Sequence, residues 1–215
     1  MKTASTLIVL NHVKYGESSI VLHALTQRWG RRSFLVKLGK KTSMGFFQPL
    51  NILECSVFEN PRSQLWSATQ FSLPRPLLST RGSLHKNTMT LFLSEVLYRT
   101  IKEGDGEDLW DWCEGAVLAL DSLEGDFSNF HLRFLLELCI QLGFSPSLES
   151  LTPFVGEDRE KIRSFLELPF AQSMLLPMTG EERNRICEEF LSYLQFHTES
   201  RITIKSLPIL RELYR

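Results

Sequence analysis

The chain has 215 residues, of which 43% are hydrophobic and 23% charged, so it can bury a core and is not a disordered tail. No apolar run approaches the roughly 20 residues that a membrane-spanning helix requires, and no cleavable leader pattern opens the chain. A protein without a membrane segment, in the cytoplasm, is the expectation, and the net charge of −1 hides any local concentration of charge.

The first third reads as five short strands. "STLIVLNHVKY" is followed by a turn at Gly16, Glu17 and Ser18, and "SIVLHALTQ" runs into "RWGRR" around Gly30. "SFLVKLG" is third, with Phe34, Val36 and Leu38 on one face and Ser33, Leu35 and Lys37 on the other. After the loop "KKTSMGFF" come "LNILECSVFE", the turn "NPRSQ" and "LWSATQFSL", stopped by Pro74 and Pro76. Five strands with a long loop between the third and fourth fit a small closed barrel of the OB type, because an open sheet of this size leaves bare edges.

Beyond Pro76 the period changes to that of helices. Met89, Phe92, Leu93, Val96, Leu97 and Ile101 form one stripe, and Leu109, Trp112, Cys113, Ala116, Val117 and Leu120 form another. The segment "FSNFHLRFLLELCIQLGFSP" is apolar on most sides, which marks the central helix of a bundle. "EDREKIRSFLELPF" is short, Thr179 with Glu182 makes a capping box ahead of the last long helix, and "IKSLPILRELYR" closes with a turn. The expected fold is α+β, with an OB barrel over residues 1–76 and an all-α domain over 77–215.

Charge divides along the same line. Residues 1–80 carry 10 Lys/Arg against 3 Asp/Glu, a net +7, and residues 81–215 carry 14 against 22, a net −8. Within the first part, Thr26–Lys41 holds Arg28, Arg31, Arg32, Lys37, Lys40 and Lys41 and no acid. With Lys14, these cations are the expected path of a polyanion. The aromatics Tyr15, Trp29, Phe34, Phe46 and Phe47 are candidates for stacking on unpaired bases, and Phe34 and Phe46 are assigned with the cations to the nucleic-acid path. Spacing alone leaves each of them equally able to fill the barrel.

Catalytic signatures are missing. There is no Gly-x-Ser-x-Gly elbow, phosphate-binding glycine loop or Cys-x-x-Cys pair, and the five histidines are scattered. Cys55, Cys113, Cys139 and Cys187 read as small buried hydrophobes. A protein without catalytic residues, cofactor or metal is expected.

"VLNHVKYGESSIVLHALTQRWGRRSFLVKLGKK" followed by "FFQPLNILECSVFE" resembles the start of the RecO family of bacterial recombination mediators. Tyr15, Gly16, Glu17, Ser18, Thr26, Gly30, Arg31, Gln48, Pro49 and Leu50 carry the likeness, which is closest to Bacteroidetes-type members. "NFHLRFLLELCIQLGFSPSLE" and "LSYLQFHTESRITIKSLPIL" resemble later segments of the same family. The resemblance implies an OB domain, a helical domain, binding of single- and double-stranded DNA, and annealing of complementary strands. It also implies partnership with RecR and with the acidic tail of single-stranded-DNA-binding protein (SSB), recombinase loading in gap repair, and a cytoplasmic, nucleoid-associated location.

Many relatives carry a zinc-binding Cys cluster where "SLESLTPFVGEDREKIRSF" stands here without Cys, so no metal ligand is carried over. Arg133 matches a helix position that helps to hold the partner tail in relatives. Its guanidinium suits a terminal carboxylate beside a pocket for an aromatic ring, or an internal pair with Glu137 at i+4. The competing reading of the whole chain is a protein adaptor with incidental affinity for nucleic acid.

Overall fold

The computed structural model describes residues 2–154 and 156–214. Strands β1 (Lys2–Tyr15), β2 (Ser19–Thr26), β3 (Gly30–Lys37), β4 (Ile52–Phe58) and β5 (Leu65–Ser72) close into a barrel in the order β1-β2-β3-β5-β4. All neighbours are antiparallel except β3 and β5, which pair in parallel and complete the closure. This is the expected OB-type barrel at the head of an α+β chain.

Alternation decides what each strand buries. Leu7 and Val9 of β1, Ile20, Leu22 and Ala24 of β2, and Phe34 and Val36 of β3 fill the barrel. Ile8 and Leu10 of β1 and Leu25 of β2 point outward, into the core of the helical body. A register shift between Val9 and Asn11 marks a bulge that bends the long β1 between its two partners. Between β3 and β4 a short 3-10 turn, Met44–Phe47, drops Phe47 into the barrel, where its ring meets Phe71 edge-on at 5.0 Å.

The third strand begins three residues earlier than its alternation suggests. Thr26 Oγ1 donates to the Gly30 carbonyl at 2.8 Å and accepts the Trp29 N–H at 3.0 Å, closing a tight turn. Gly30 takes the left-handed φ of 63° that this turn requires. Arg31 and Arg32 therefore stand in the strand, paired with Leu25 and Ala24, rather than in a loop.

The helical body contains α1 (Leu78–Gly82), α2 (Leu84–Thr100), α3 (Trp110–Ser122), α4 (Phe130–Gln141), α5 (Leu148–Leu151), α6 (Arg159–Glu167), α7 (Phe170–Met174), α8 (Gly180–His197) and α9 (Leu207–Leu213). Helix α4 is central, with eight of its twelve residues buried. The Thr179–Glu182 capping box is formed, and the Lys161 ammonium and the Thr179 N–H lower the Glu182 carboxyl to about 2. Lys86 is buried at 2% exposure, donating to Ser79 Oγ and to the carbonyls of Asp121 and Leu123 at the end of α3.

Barrel and helices share one apolar core. Ile8, Leu10, Leu25, Leu50 and Ile52 join Met89, Phe92, Val96 and Leu109 in it. Arg81 of α1 reaches across the junction to the Pro49 carbonyl at 2.6 Å and Asn51 Oδ1 at 2.8 Å, and its other terminal nitrogen reaches Asn87 Oδ1 at 2.7 Å. Asn51 in turn donates to the carbonyls of Gly45 and Phe46, which ties the 3-10 turn to the same junction. Among the described residues, no helix is long and apolar enough to cross a membrane.

Candidate nucleic-acid interface

Register fixes where the basic run goes. On the outer wall of β1-β2-β3, Tyr15, Ser19 and Lys37 share a row at one end, and Val13, Val21 and Leu35 share the next. Further down, His23 and Ser33 share a row, and Leu25 and Arg31 the one beyond. The lower rows lie under the helical body, whereas Val13 and Tyr15 are 53% and 58% exposed.

The free end gathers the lysines. The Leu38 N–H donates to the Ser18 carbonyl at 2.8 Å, which holds the end of β3 against the β1-β2 turn. Gly39 and Thr42 then exchange two backbone hydrogen bonds and present Lys40 and Lys41 at the tip of a tight turn. Lys14 leaves the rim beside them, on the opposite face to Tyr15. Lys14, Lys37, Lys40 and Lys41 are all exposed, and none has a carboxylate within ion-pair distance among the described residues. The exposed Glu17 in the adjoining turn is the acid closest in sequence. Solvated lysines bearing no counter-charge are the arrangement that gains by replacing the counterions of a phosphate backbone.

Arg31 is not part of that surface. Its guanidinium donates to the Ile101 carbonyl at 2.6 Å, lies 4.4 Å from the centre of the Tyr98 ring and has Glu103 at 3.9 Å. Its own N–H and carbonyl bond to the Asp105 carbonyl and the Gly104 N–H, both at 2.8 Å. This cation binds the helical body to the barrel. Beside it, His23 Nδ1 is 2.9 Å from Ser33 Oγ, which donates to Glu103 at 3.0 Å. Burial, and then the Arg31 charge, hold the His23 imidazole below its usual pKa, with Glu103 opposing.

The remaining arginines occupy the other end of the barrel. Arg28 is exposed and lies 5.5 Å from the Trp29 ring, Trp29 meets Trp66 edge-on at 5.4 Å, and Arg32 lies 4.8 Å from the Trp66 ring. Arg32 and Lys37, five residues apart on one strand, are separated by about 16 Å. The cations of the run thus form two groups at opposite ends of the barrel, with Arg31 withdrawn beneath the helical body at the arginine end, instead of one continuous wall.

The assignment of Phe34 and the candidacy of Phe47 are also overturned. Phe34 is fully buried in the barrel and offers no ring face to a base, and Phe47 is likewise enclosed. Burying a phenylalanine gains about 2–3 kcal/mol, as much as stacking one base, and the inward face of β3 leaves Phe34 no alternative. Phe46 is half-buried against the barrel cluster, and Tyr15 is the most exposed ring of the set. The sequence reading omitted Arg62, Asn60 and Gln64, which the β4-β5 loop brings beside Arg32 and Trp66. The basic turn "NPRSQ" before an aromatic strand was the signal available for them.

Arg133 of α4 donates to Glu137 Oε1 at 2.6 Å, to the Leu168 carbonyl at 2.9 Å and to the Phe165 carbonyl at 3.2 Å. The i+4 ion pair is therefore formed, and Trp112 Nε1 donates to the other oxygen of Glu137 at 3.1 Å. Beside the pair lies a 330 Å³ pocket floored by Ala116, Phe130, Phe134 and Phe170, with Asp111 also on its lining. The four cysteines are free and buried, and burial raises the thiols of Cys55, Cys139 and Cys187 to about 12. Among the described residues no group of three or more His, Cys, Asp or Glu is placed to hold a metal ion.

Comparison with known proteins is consistent along the chain. Residues 1–76 match the family described as recombination protein O N terminal, and residues 81–151 match recombination protein O C terminal. The chain is similar to the DNA repair protein RecO of Phocaeicola vulgatus, at 28% identity over 233 residues covering 96% of this chain and 97% of the relative. It is similar to the protein of the same name from Bacteroides fragilis, at 28% over 234 residues covering 96% and 97%. The likeness to that of Flavobacterium psychrophilum is 26% over 238 residues, covering both chains in full.

Proposed function

Because the chain belongs to the RecO family of DNA repair proteins, we propose that its barrel, residues 1–76, binds single- and double-stranded DNA and anneals complementary strands without covalent chemistry. The observation that carries this reading is the group of four exposed, unpaired lysines at the free end of the barrel, with Tyr15 among them. Lysines attract phosphate as point charges without imposing a geometry, which suits a surface that must take up either strand type and release it. Two phosphate backbones that repel each other in solution approach more easily when both are neutralised on one cationic patch. An exposed tyrosine beside the lysines adds a face for an unpaired base.

The helical body, residues 77–215, is read as the docking platform for RecR and for the SSB tail, and the role as recombinase loading onto SSB-coated gaps. In the cell this places the protein in the cytoplasm, at the nucleoid. The pocket beside Arg133 offers an apolar seat for a side chain of the tail, and the tail carboxylate would compete with Glu137 for the guanidinium. Glu137→Gln is then expected to tighten binding of a labelled tail peptide and Arg133→Ala to weaken it. Equal affinities across the three proteins remove Arg133 from the docking site.

The decisive experiment is annealing of two complementary oligonucleotides coated with SSB, wild type against the Lys37→Ala, Lys40→Ala, Lys41→Ala triple variant. The variant should anneal more slowly, and its salt slope for single-stranded DNA should fall by about two, at about 0.7 per lost contact. The adaptor reading draws on the withdrawal of Arg31 from the surface and on the apolar pocket of the body. It prevails if the wild-type protein has no DNA affinity at physiological salt.

A further inference from the structure

Among the described residues seven arginines are half-buried: Arg31, Arg32, Arg81, Arg133, Arg183, Arg185 and Arg211. Six of them donate side-chain hydrogen bonds: Arg31 to Ile101, Arg81 to Pro49 and Asn51, Arg133 to Glu137, Arg183 to Asn129, Arg185 to Asp158, and Arg211 to Glu188. Arg32 donates none among the described residues, and its Nε, like those of Arg31, Arg81 and Arg211, is buried without an acceptor. A half-buried guanidinium has already lost much of its water, so unmade hydrogen bonds to it are costly.

Its surroundings indicate what is missing. The guanidinium lies 4.8 Å from the centre of the Trp66 ring, and a Cβ added to Gly104 would sit 3.7–3.9 Å from its terminal nitrogens and Cζ, so protein packs close around it. Arg32 lines a 450 Å³ pocket under the β4-β5 loop, together with Asn60, Arg62, Ser63 and Gln64. No Asp or Glu lines the pocket, and neither Arg32 nor Arg62 has a carboxylate within ion-pair distance among the described residues. Two cations and two side-chain amides around one polar hollow, one of the cations the planar fork of a half-buried arginine, match a tetrahedral oxyanion held bidentately.

We propose that this pocket is a phosphate seat, in which Arg32 and Arg62 hold a backbone phosphodiester of single-stranded nucleic acid. The proposal rests on the reading of the barrel as a DNA-binding domain and adds a second site to it, at the end away from the lysines. A strand seated here and crossing to Lys37 spans about 16 Å of protein, the length of a few nucleotides. The two ends differ in chemistry: arginine forks fix one phosphate in place, and lysines let the rest of the backbone slide.

The test uses the full chain and a fluorescein-labelled oligo(dT) at several salt concentrations. Four proteins are compared: wild type, Arg62→Ala, Arg32→Lys with Arg62→Ala, and the lysine triple variant. Arg62 is exposed on a loop, so its replacement leaves the fold intact, and Arg32→Lys keeps the charge while removing the fork. Arg62→Ala is expected to lower the salt slope by about 0.7, and the double variant to weaken binding about tenfold beyond that. In parallel, the side-chain Nε–H resonance of Arg32 should shift when oligo(dT) is added, and far less with inorganic phosphate at matched ionic strength. If Arg62→Ala and the double variant bind as wild type while the lysine variant is weakened, the phosphate seat is wrong and the DNA-binding reading stands. If all four bind alike, both readings fail. A resonance that moves as much with inorganic phosphate as with oligo(dT) assigns the pocket to small anions and overturns the proposal.

Discussion

Arg31 and Lys37 project from the same outer face of β3, yet Arg31 is bonded beneath the helical body and Lys37 stands in solvent. The difference comes from what lies opposite each row. Leu25, next to Arg31, belongs to the core shared with the helices, whereas Ser19 and Tyr15, next to Lys37, face water. A cation's role in this molecule is thus set by whether the α2-α3 connection covers its row. One stretch of basic sequence supplies both a fastening between barrel and body and a surface for polyanions.

The strongest way to break this contrast is to separate the covered half. A Cβ on Gly30 would lie 2.3 Å from the Asp105 carbonyl oxygen, at a φ of 63° that already disfavours side chains. Gly30→Ala is expected to cost about 3 kcal/mol, read as a lower denaturant midpoint. A midpoint unchanged within about 0.5 kcal/mol would mean that the β3 approach to the body is not close.

Arg81 fastens the same junction from the helical side. Arg81→Met keeps the stem and removes the fork, stranding the Pro49 carbonyl and Asn51 Oδ1, for a loss of about 2 kcal/mol. Native-state hydrogen exchange should show the 3-10 turn over Met44–Phe47 opening more often, since Asn51 anchors it. A loss of stability without faster exchange there would place the damage elsewhere.

Acid sharpens the contrast between body and barrel. His131 in α4 is 2% exposed, and burial, then the Arg183 charge, hold its imidazole down at about 3, against a backbone hydrogen bond at Ser128 that favours the proton. The unfolded chain therefore takes up a proton near pH 6.5 that the folded chain refuses. Stability present above pH 6.5 is lost as the pH falls towards 3, by up to about 1.4 kcal/mol per pH unit. His131→Phe should flatten that part of the stability profile relative to wild type. Parallel profiles for the two proteins would show that His131 does not titrate between the states.

The smallest effect is the most discriminating. Arg31→Ala should lower stability by about 1 kcal/mol and leave the salt slope for DNA unchanged. The lysine triple variant should do the reverse, changing the slope with stability held within about 0.5 kcal/mol. If Arg31→Ala lowers the slope by about 0.7, the covered row contributes to the DNA path after all.

Much of this architecture was legible in the chain. Alternation in "SFLVKLG" gave the inward set Phe34 and Val36, the Thr179–Glu182 spacing gave the helix cap, and the apolar girth of α4 gave its central place. The start of β3 was not legible, because "RWGRR" carries turn residues and the pairing of Arg31 and Arg32 with β2 depends on the Thr26–Gly30 bond. Nor was the buried Lys86, whose partners Ser79, Asp121 and Leu123 come from two other segments.

Sequence by itself determined the barrel, the helices, the surplus of cations in the first third and the family, since periodicity, turn residues and charge are local properties of the chain. Only the tertiary structure decided which cations are free. Closure of β3 onto β5 brought Arg62 to Arg32, and the end of α2 with the connection to α3 covered Arg31 while leaving Lys37 in water. Strand register places a side chain on a face, but the energy of a charge there depends on the dielectric and hydrogen-bond acceptors supplied by residues far along the chain.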